Sequence, residues 1–235
     1  MASLRRFTLV ELLLWLSLYP AYLAVRGTTI SDGETAAANA ADLVGIEQTL
    51  AVFHEASLQR ALSFASDFFS AYYMLGFGPV IAGVLVWLGL RDRDRYRELR
   101  TLLFASLAIA VLLYLSYPTA PPRLVPEFGI ADTVGLSAHD TGSFAGIRFN
   151  PYAAMPSMHV GWSLLVGIVG FRAARRRALR AFFAVHPLLM AVTVTVTGNH
   201  YFVDSAAGAA IGLLTLWLLT SVRRARPLRV LPRPA

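Results

Sequence analysis

The sequence predicts an all-α protein, an integral membrane bundle of six transmembrane helices with an amphipathic helix on its outer side. The first observation is composition, since 56% of the 235 residues are hydrophobic and only 15% are charged. A water-soluble domain of this size cannot bury so much apolar surface, whereas a set of membrane spans requires it. The second observation is a series of apolar segments, and the third is the distribution of arginines between them.

Six apolar segments are long enough, or nearly long enough, to cross a bilayer. A helix needs about 20 apolar residues, at a rise of about 1.5 Å each, to span the hydrocarbon core. The predicted spans are Phe7–Val25, Phe68–Leu90, Thr101–Tyr117, Met158–Phe171, Ala181–Thr197 and Phe202–Val222. Because the fourth segment is the shortest and follows a polar motif, we expect its helix to begin in a recess below the membrane surface.

The arginines orient these spans. All 21 basic residues are arginine, and 17 of them fall on the cytoplasmic side if the N-terminus is inside. Basic residues in short loops favour the cytoplasm, so we expect both termini there. The interpretation is one membrane-embedded domain over residues 1–222 of a cell-membrane protein, followed by a basic cytoplasmic tail over residues 223–235. A cleaved N-terminal signal peptide is less favoured, because the first apolar run is long and contains Glu11.

Net charge and cysteine content bear on two further features, a nucleic-acid partner and cysteine-based cross-links or metal sites. The net charge of +7 follows from the cytoplasmic arginines, so it predicts no nucleic-acid partner. The chain contains no cysteine, which excludes disulfides and thiolate metal sites.

A long segment between the first two spans, residues 27–67, predicts the amphipathic outer helix. Within Thr35–Ser63, apolar residues recur at intervals of three or four, as one face of a helix requires. These residues are Leu43, Ile46, Leu50 and Phe53. We interpret Glu47 and His54 as solvated side chains of a helix that lies at the interface or caps the bundle.

Three polar motifs lie at span ends that this topology brings to the same outer face. They are Tyr117-Pro118-Thr119-Ala120-Pro121-Pro122-Arg123, Pro156-Ser157-Met158-His159 and Gly198-Asn199-His200-Tyr201-Phe202-Val203-Asp204. Hydropathy and arginine counts alone assigned the spans, so the convergence of the motifs is independent support for a site at this surface.

The residue types in these motifs suit chemistry on a phosphate group. His200 and Asp204 are four apart, so on a helix the carboxylate can fix the imidazole tautomer and leave the other nitrogen as a nucleophile or base. Ser157 can cap the fourth span, whose first-turn amides offer a site for an oxyanion. His159 would lie near that anion as a general acid, and Arg123 could bind it in bidentate fashion.

Other readings of the same residues are weaker. Two histidines and an aspartate are acceptable zinc ligands, but their spacing matches no strong ligand pattern. A serine hydrolase would need a G-x-S-x-G elbow, which the sequence lacks. We therefore expect neither a metal nor another cofactor. His186, beside Pro187 in an apolar span, is interpreted as structural, and Gly208 with Gly212 as a close-packing helix face.

In this order the three motifs resemble those of the type 2 phosphatidic-acid phosphatase superfamily of membrane lipid phosphatases and phosphotransferases. Over about residues 40–220 they look most like its inositolphosphotransferase-like branch. The resemblance implies a six-helix bundle and metal-independent chemistry through a phosphohistidine. By position, His200 would be the nucleophile, Asp204 would orient it and His159 would protonate the leaving alcohol. Arg123 and Ser157 would bind the phosphate.

The sequence departs from the family pattern at two phosphate-binding cations. Ser116 stands where a lysine is usual, and Thr193-Val194 stands where a Ser-Arg pair is usual. Arg148, also on the outer side, is a candidate replacement. The resemblance implies an enzyme that hydrolyses or transfers a phosphoryl-linked group of a membrane lipid at the extracytoplasmic face, with water, a polyol or a lipid alcohol as acceptor. A non-catalytic lipid-binding scaffold with a degenerate phosphatase fold is the main alternative, and a metal-dependent hydrolase is the weaker one.

Overall fold

A computed structural model describes residues 33–135 and 151–225, together with Glu11, Leu14, Trp15 and the backbone of residues 143–144 and 147–148. The helices are α1 (Gly33–Thr49), α2 (Glu55–Ala61), α3 (Ser66–Leu75), α4 (Gly78–Arg91), α5 (Arg93–Ser116), α6 (Met158–Ala173), α7 (Arg177–Val196) and α8 (Phe202–Ala225). Single 3-10 turns occupy Ser63–Ala65, Pro122–Leu124 and Pro126–Phe128. A two-residue antiparallel pair, β1 (Ser143–Phe144) and β2 (Ile147–Arg148), sets Ser143 opposite Arg148.

Within the described residues, three helices are long and apolar enough to cross a membrane. They are Arg93–Ser116, Arg177–Val196 and Phe202–Arg224. The pair Ser63–Leu75 and Gly78–Arg91 meets the same criterion jointly across a 44° bend, so the number is four if the pair forms one span. The chain is therefore a helical, multi-pass membrane protein, as its composition predicts.

The predicted number of six spans is not reached by these helices. The fourth predicted span corresponds to α6, which has only 16 residues. The first, Phe7–Val25, lies outside the described residues except for Glu11, Leu14 and Trp15. The second, Phe68–Leu90, is broken at Phe77, whose ψ of −87° ends one helix before the next begins. Pro79 stands at the second position of α4, where its missing N–H costs nothing.

Helix α6 packs in the centre of the bundle, against α5, α7 and α8. Its glycines allow this close approach: a Cβ added at Gly161 would lie 2.6 Å from the Gly208 carbonyl oxygen. A Cβ at Gly212 would lie 3.1 Å from the Gly161 oxygen. The prediction that Gly208 and Gly212 form a close-packing face is confirmed, and this face holds the N-terminal ends of α6 and α8 together.

The outer amphipathic helix differs from its prediction. The structure divides it into α1 and α2, separated by Ala51 with a φ of 55°. Ile46 and Leu50 are 47% and 62% exposed, so Leu43, Ile46, Leu50 and Phe53 do not form one buried face. The buried face of α1 consists instead of two small residues, Ala36 and Ala40, together with Leu43, Val44 and Glu47.

The small residues bring α1 against the main chain that follows α5. The amide of Ala120 donates to the carbonyl of Ala36 at 3.0 Å, and Asn39 Nδ2 donates to the carbonyl of Pro118 at 2.7 Å. The interpretation of Glu47 as a solvated residue is therefore wrong, since its side chain is fully buried. His54 is exposed, as expected.

Candidate active site

The main chain joins the three polar motifs at one end of the bundle. The amide of Arg123 donates to the carbonyl of Gly198 at 2.9 Å, which ties the first motif to the third. The amide of Ser157 donates to the carbonyl of Asp204 at 2.9 Å, which ties the second motif to the third. The predicted convergence of the motifs is therefore confirmed, and hydrogen bonds that are independent of side-chain identity maintain it.

His159, His200 and Asp204 form a continuous chain of contacts. His200 Nδ1 lies 3.1 Å from Asp204 Oδ2, and His200 Nε2 lies 3.3 Å from His159 Nδ1. Asp204 is fully buried. His200 belongs to the turn before α8 and not to the helix itself, so the assumption that both residues share a helix face is wrong, although their contact forms.

This geometry assigns the ring protons. An ionised Asp204 carboxylate only accepts hydrogen bonds, and its contact with His200 then places the His200 proton on Nδ1. His200 Nε2 then carries a lone pair, and His159 Nδ1 must be the donor towards it. Burial, followed by the positive charge of Arg123, lowers the pKa of His200 to about 3. The His200 imidazole is therefore neutral at physiological pH, with Nε2 directed at His159.

Two aromatic rings hold the imidazole of His159. The ring of Tyr73 stacks on it with centroids 4.8 Å apart, and the ring of Phe77 lies 4.2 Å away. Phe77 also stacks on Trp162 at 5.8 Å. Sequence reasoning missed both Tyr73 and Phe77, although they stand four residues apart at the outer end of the second predicted span. Their placement there depends on the bend between α3 and α4.

The guanidinium of Arg123 lies between the side-chain amide of Asn199 and the carboxylate of Asp132. Its Nη1 donates to Asn199 Oδ1 at 2.6 Å, and its Nε lies 3.9 Å from Asp132 Oδ2. Burial lowers the pKa of Arg123. Asn199 is itself held, because its Nδ2 donates to Thr197 Oγ1 at 2.9 Å. Asn199 carries no predicted role of its own, although it directly precedes His200, and the structure identifies it as a residue that orients Arg123.

Gly198 makes the turn between α7 and the third motif. Its φ of +72° is in the left-handed region, and a Cβ there would lie 2.6 Å from the Ala131 carbonyl oxygen and 3.3 Å from Arg123 Cβ. Glycine is therefore required both by the backbone conformation and by the close approach of the Arg123 loop. The turn places Asn199 and His200 beside Arg123.

Ser157 caps α6 as predicted. Its Oγ accepts the amide of Val160 at 3.4 Å, and the side chain is fully buried. The backbone of Arg148 lies in β2, but its side chain is outside the described part of the structure. The predicted phosphate contacts of Ser157 and Arg148 remain predictions. Among the described residues, no group of three or more histidines, aspartates or glutamates is arranged to hold a metal ion.

His186 has the structural surroundings that the sequence predicts. It is 1% exposed, and its Nδ1 lies 2.6 Å from the hydroxyl of Tyr72. The contact joins α7 to α3, away from the His159–His200 pair. His186 is therefore part of the helix packing.

Membrane-crossing helices with a His–His–Asp chain at one end, buried at His200 and Asp204, define a multi-pass membrane protein with a candidate acid–base site. A profile of the PAP2 superfamily matches residues 41–218, about three quarters of the chain, and the protein belongs to this superfamily. The resemblance to the superfamily drawn from the motifs is thereby confirmed, whereas its inositolphosphotransferase-like branch stays a prediction.

The fold is also similar to that of a solved structure, the crystal structure of Aquifex aeolicus LpxE. The TM-score is 0.54 at 16% sequence identity, over 73% of this chain and 94% of that chain. At this identity the likeness shows the fold alone. No curated protein sequence gives a significant match. Membership of the superfamily supports a membrane lipid phosphatase.

Proposed function

We propose that the protein removes the phosphoryl group of a membrane lipid phosphate at the extracytoplasmic face, through a phosphohistidine on His200 and without a metal. The observation that carries this proposal is the contact chain from Asp204 through His200 to His159, with separations of 3.1 and 3.3 Å. One end of the chain is an acceptor that orients the nucleophile, and the other end is a proton donor. A phosphate ester needs both at once.

In the first step, the lone pair of His200 Nε2 attacks phosphorus and forms the P–N bond. The P–O bond to the lipid alcohol breaks, and a protonated His159 gives its proton to the leaving oxygen. The His200 ring becomes positively charged, because it keeps the proton on Nδ1. Asp204, which accepts that proton in a hydrogen bond, stabilises the charge in a buried site.

In the second step, an oxygen nucleophile attacks the phosphorus of the phosphohistidine. His159, now neutral, takes the proton of that nucleophile, and the P–N bond breaks to restore His200. Water gives free phosphate, whereas a polyol or a lipid alcohol gives transfer, the outcome expected of the inositolphosphotransferase-like branch. The same residues serve both outcomes, so the acceptor decides between phosphatase and transferase.

The imidazoles of His159 and His200 contact each other directly, through Nδ1 and Nε2. A phosphoryl group that reacts with His200 Nε2 must occupy the space between that nitrogen and His159. We therefore infer that substrate binding separates the two rings. Arg123, held by Asn199, would bind the non-bridging oxygens, with the first-turn amides after Ser157 and the side chain of Arg148 as further donors.

The orientation in the membrane can be tested cleanly because the chain contains no cysteine. Glu127, in the loop that carries Arg123, and Arg176, between α6 and α7, are both exposed. In intact cells, a membrane-impermeant maleimide should label the Glu127→Cys variant and leave the Arg176→Cys variant unlabelled. The reverse pattern would place the site on the cytoplasmic side.

The chemical proposal is tested with the purified protein and a panel of lipid phosphates, with and without polyol acceptors, analysed by mass spectrometry. We expect acid-labile phosphate trapped on His200 and turnover that persists in EDTA. The variants His200→Ala and His159→Ala should insert but lose turnover. The exposed His54 is the matched control, and the His54→Ala variant should keep wild-type turnover.

Three results would contradict the proposal in different ways. Lipid binding without trapped phosphate or product would identify a non-catalytic binding protein. Loss of turnover in EDTA with rescue by zinc would assign the site to metal-dependent hydrolysis. Normal turnover in His200→Ala would show that the nucleophile is another group.

A further inference from the structure

Two buried carboxyl groups from the outer helices contact the first turn of α8. Glu47 Oε1, from α1, accepts the amide of Val203 at 2.7 Å. Glu55 is the first residue of α2, and its Oε1 accepts a hydrogen bond from the amide of Phe202 at 3.1 Å. Both side chains are fully buried. These contacts join residues 156 and 147 positions apart in the chain, so tertiary structure alone creates them.

The first turn of a helix is a favourable place for one negative charge. Its amides have no partners within the helix, and the helix dipole favours an anion there. Two carboxylates side by side are unfavourable, because like charges in a buried site cannot both ionise at low cost. No donor among the described residues reaches the remaining oxygens, Glu47 Oε2 and Glu55 Oε2, and the two side chains can hydrogen-bond to each other only if one of them keeps a proton. A negative charge on both oxygens would therefore be uncompensated.

The groups around the pair add to this restriction. Burial, followed by the neighbouring Glu55 carboxyl, raises the pKa of Glu47 to about 9, and the carboxyl of Asp204 acts in the same direction. The phenol of Tyr201, in the turn before α8, also interacts electrostatically with both glutamates. From the residue after α5, Tyr117 packs against the apolar cluster that the buried residues of α1 form with Tyr201. The groups that raise the pKa of Glu47 are thus acidic, and none of them compensates a second negative charge.

We propose that Glu47 and Glu55 form a positioning pair that shares one proton and fixes the first turn of α8, and thereby holds Asp204 against His200. Asp204 follows Val203 directly, so a displaced first turn would move its carboxylate away from His200 Nδ1. The carbonyl of Asp204 also accepts the amide of Ser157, so the same displacement would reach the N-terminus of α6. This inference rests on the proposed function of the His200–Asp204 pair.

The kinetic test compares four variants with the wild-type protein: Glu47→Ala, Glu47→Gln, Glu55→Gln and the control Gln48→Ala. Gln48 follows Glu47 on the same helix and is exposed. For Glu47→Ala we expect kcat to fall about tenfold or more with KM changed less than about threefold, because misplacement of the nucleophile affects the chemical step. Glu47→Gln keeps the acceptor oxygen and adds an N–H donor, as a protonated carboxyl does, so it should recover most of the lost kcat.

The pH profile gives a readout that a merely structural role would not change. In the wild-type protein the pair loses its shared proton as pH rises through about 9, the pKa of Glu47. Because Glu47 and Glu55 then both carry a negative charge, kcat should decline in this pH range. In Glu47→Gln the amide cannot ionise, so this alkaline decline should be absent. Gln48→Ala should retain the wild-type profile.

A second readout does not depend on turnover. Hydrogen–deuterium exchange, measured in detergent by mass spectrometry, should show faster exchange of the Phe202 and Val203 amides in Glu47→Ala than in Gln48→Ala. If the wild-type protein shows no turnover but this exchange difference appears, the proposed function fails while the positioning role stands.

Two outcomes would overturn the positioning pair. One is kinetics and exchange in Glu47→Ala that match those of Gln48→Ala. The other is a Glu47→Gln protein that is as impaired as Glu47→Ala, since a shared proton requires the amide to substitute for it. If Glu47→Ala fails to insert, the pH profiles of Glu47→Gln and Glu55→Gln decide the question, and unchanged alkaline limbs in both would refute the proposal.

Discussion

The backbone amide of Ser157 donates to the backbone carbonyl of Asp204 at 2.9 Å, so the helix that carries His159 is fastened to the helix that carries Asp204. Gly208 makes this contact possible, because its missing side chain leaves room for the Ser157 carbonyl. The distance between the two histidines therefore depends on helix packing at a glycine as well as on the histidines themselves.

Gly208→Ala should disrupt the site from a distance. The added Cβ would lie 1.9 Å from the Ser157 carbonyl oxygen, which is backbone and cannot rotate away. We expect lower thermal stability in detergent and a kcat reduced by about 100-fold, since displacements of about 1 Å have such effects. The control is Gly83→Ala in α4, where a Cβ meets nothing within 4 Å. An active, stable Gly208→Ala protein would show that α6 and α8 are less closely packed than described.

Asp204→Asn should fold but react slowly. The amide can present its N–H to His200 Nδ1, which would move the ring proton to Nε2 and remove the nucleophilic lone pair. By analogy with other buried Asp–His pairs, we expect kcat to fall by about two to four orders of magnitude. Steady-state kinetics with a lipid phosphate, together with elution from size-exclusion chromatography, check both halves of the prediction. A wild-type rate would show that Asp204 is structural only.

Asn199→Ala should weaken phosphate binding more than it slows the chemistry. The substitution removes the 2.6 Å contact with Arg123 Nη1, while His200 and Asp204 keep theirs. A less ordered guanidinium should raise KM by about tenfold, the effect of about 1.4 kcal/mol. Inhibition by inorganic phosphate should weaken in parallel. A drop in kcat at constant KM would mean that Asn199 acts on His200 instead.

Acid pH should destabilise the folded protein through His200. Its folded pKa, lowered to about 3 by burial and by Arg123, lies below its unfolded value of about 6.5. The unfolded chain therefore binds a proton first, and stability falls as pH decreases from about 6.5 towards 3. In thermal melts in detergent, Tm should fall less on acidification for His200→Asn than for the wild-type protein. His54→Ala is the control. Equal acid shifts in the His200→Asn and wild-type proteins would contradict a buried, neutral His200.

Features encoded over short stretches were predictable from the sequence. Apolar segments and arginine placement indicated a multi-pass helical membrane protein, and the three motifs indicated one site at one end of it. Ser157 was recognisable as a cap and Gly208 with Gly212 as a packing face, because each depends on spacing within one helix. The position of the break at Phe77, and with it the contact of the Tyr73 and Phe77 rings with His159, was not recognisable.

The sequence by itself determined the class of protein and the residues of the His–His–Asp chain, because hydropathy and motif spacing are local properties. Only the tertiary structure decided the surroundings of those residues. Glu47, an acidic residue that we assign to solvent from the sequence, is buried because the alanine face of α1 brings it to the amides of α8, 156 positions away. Such contacts depend on how closely helices approach, which no pattern within one helix specifies.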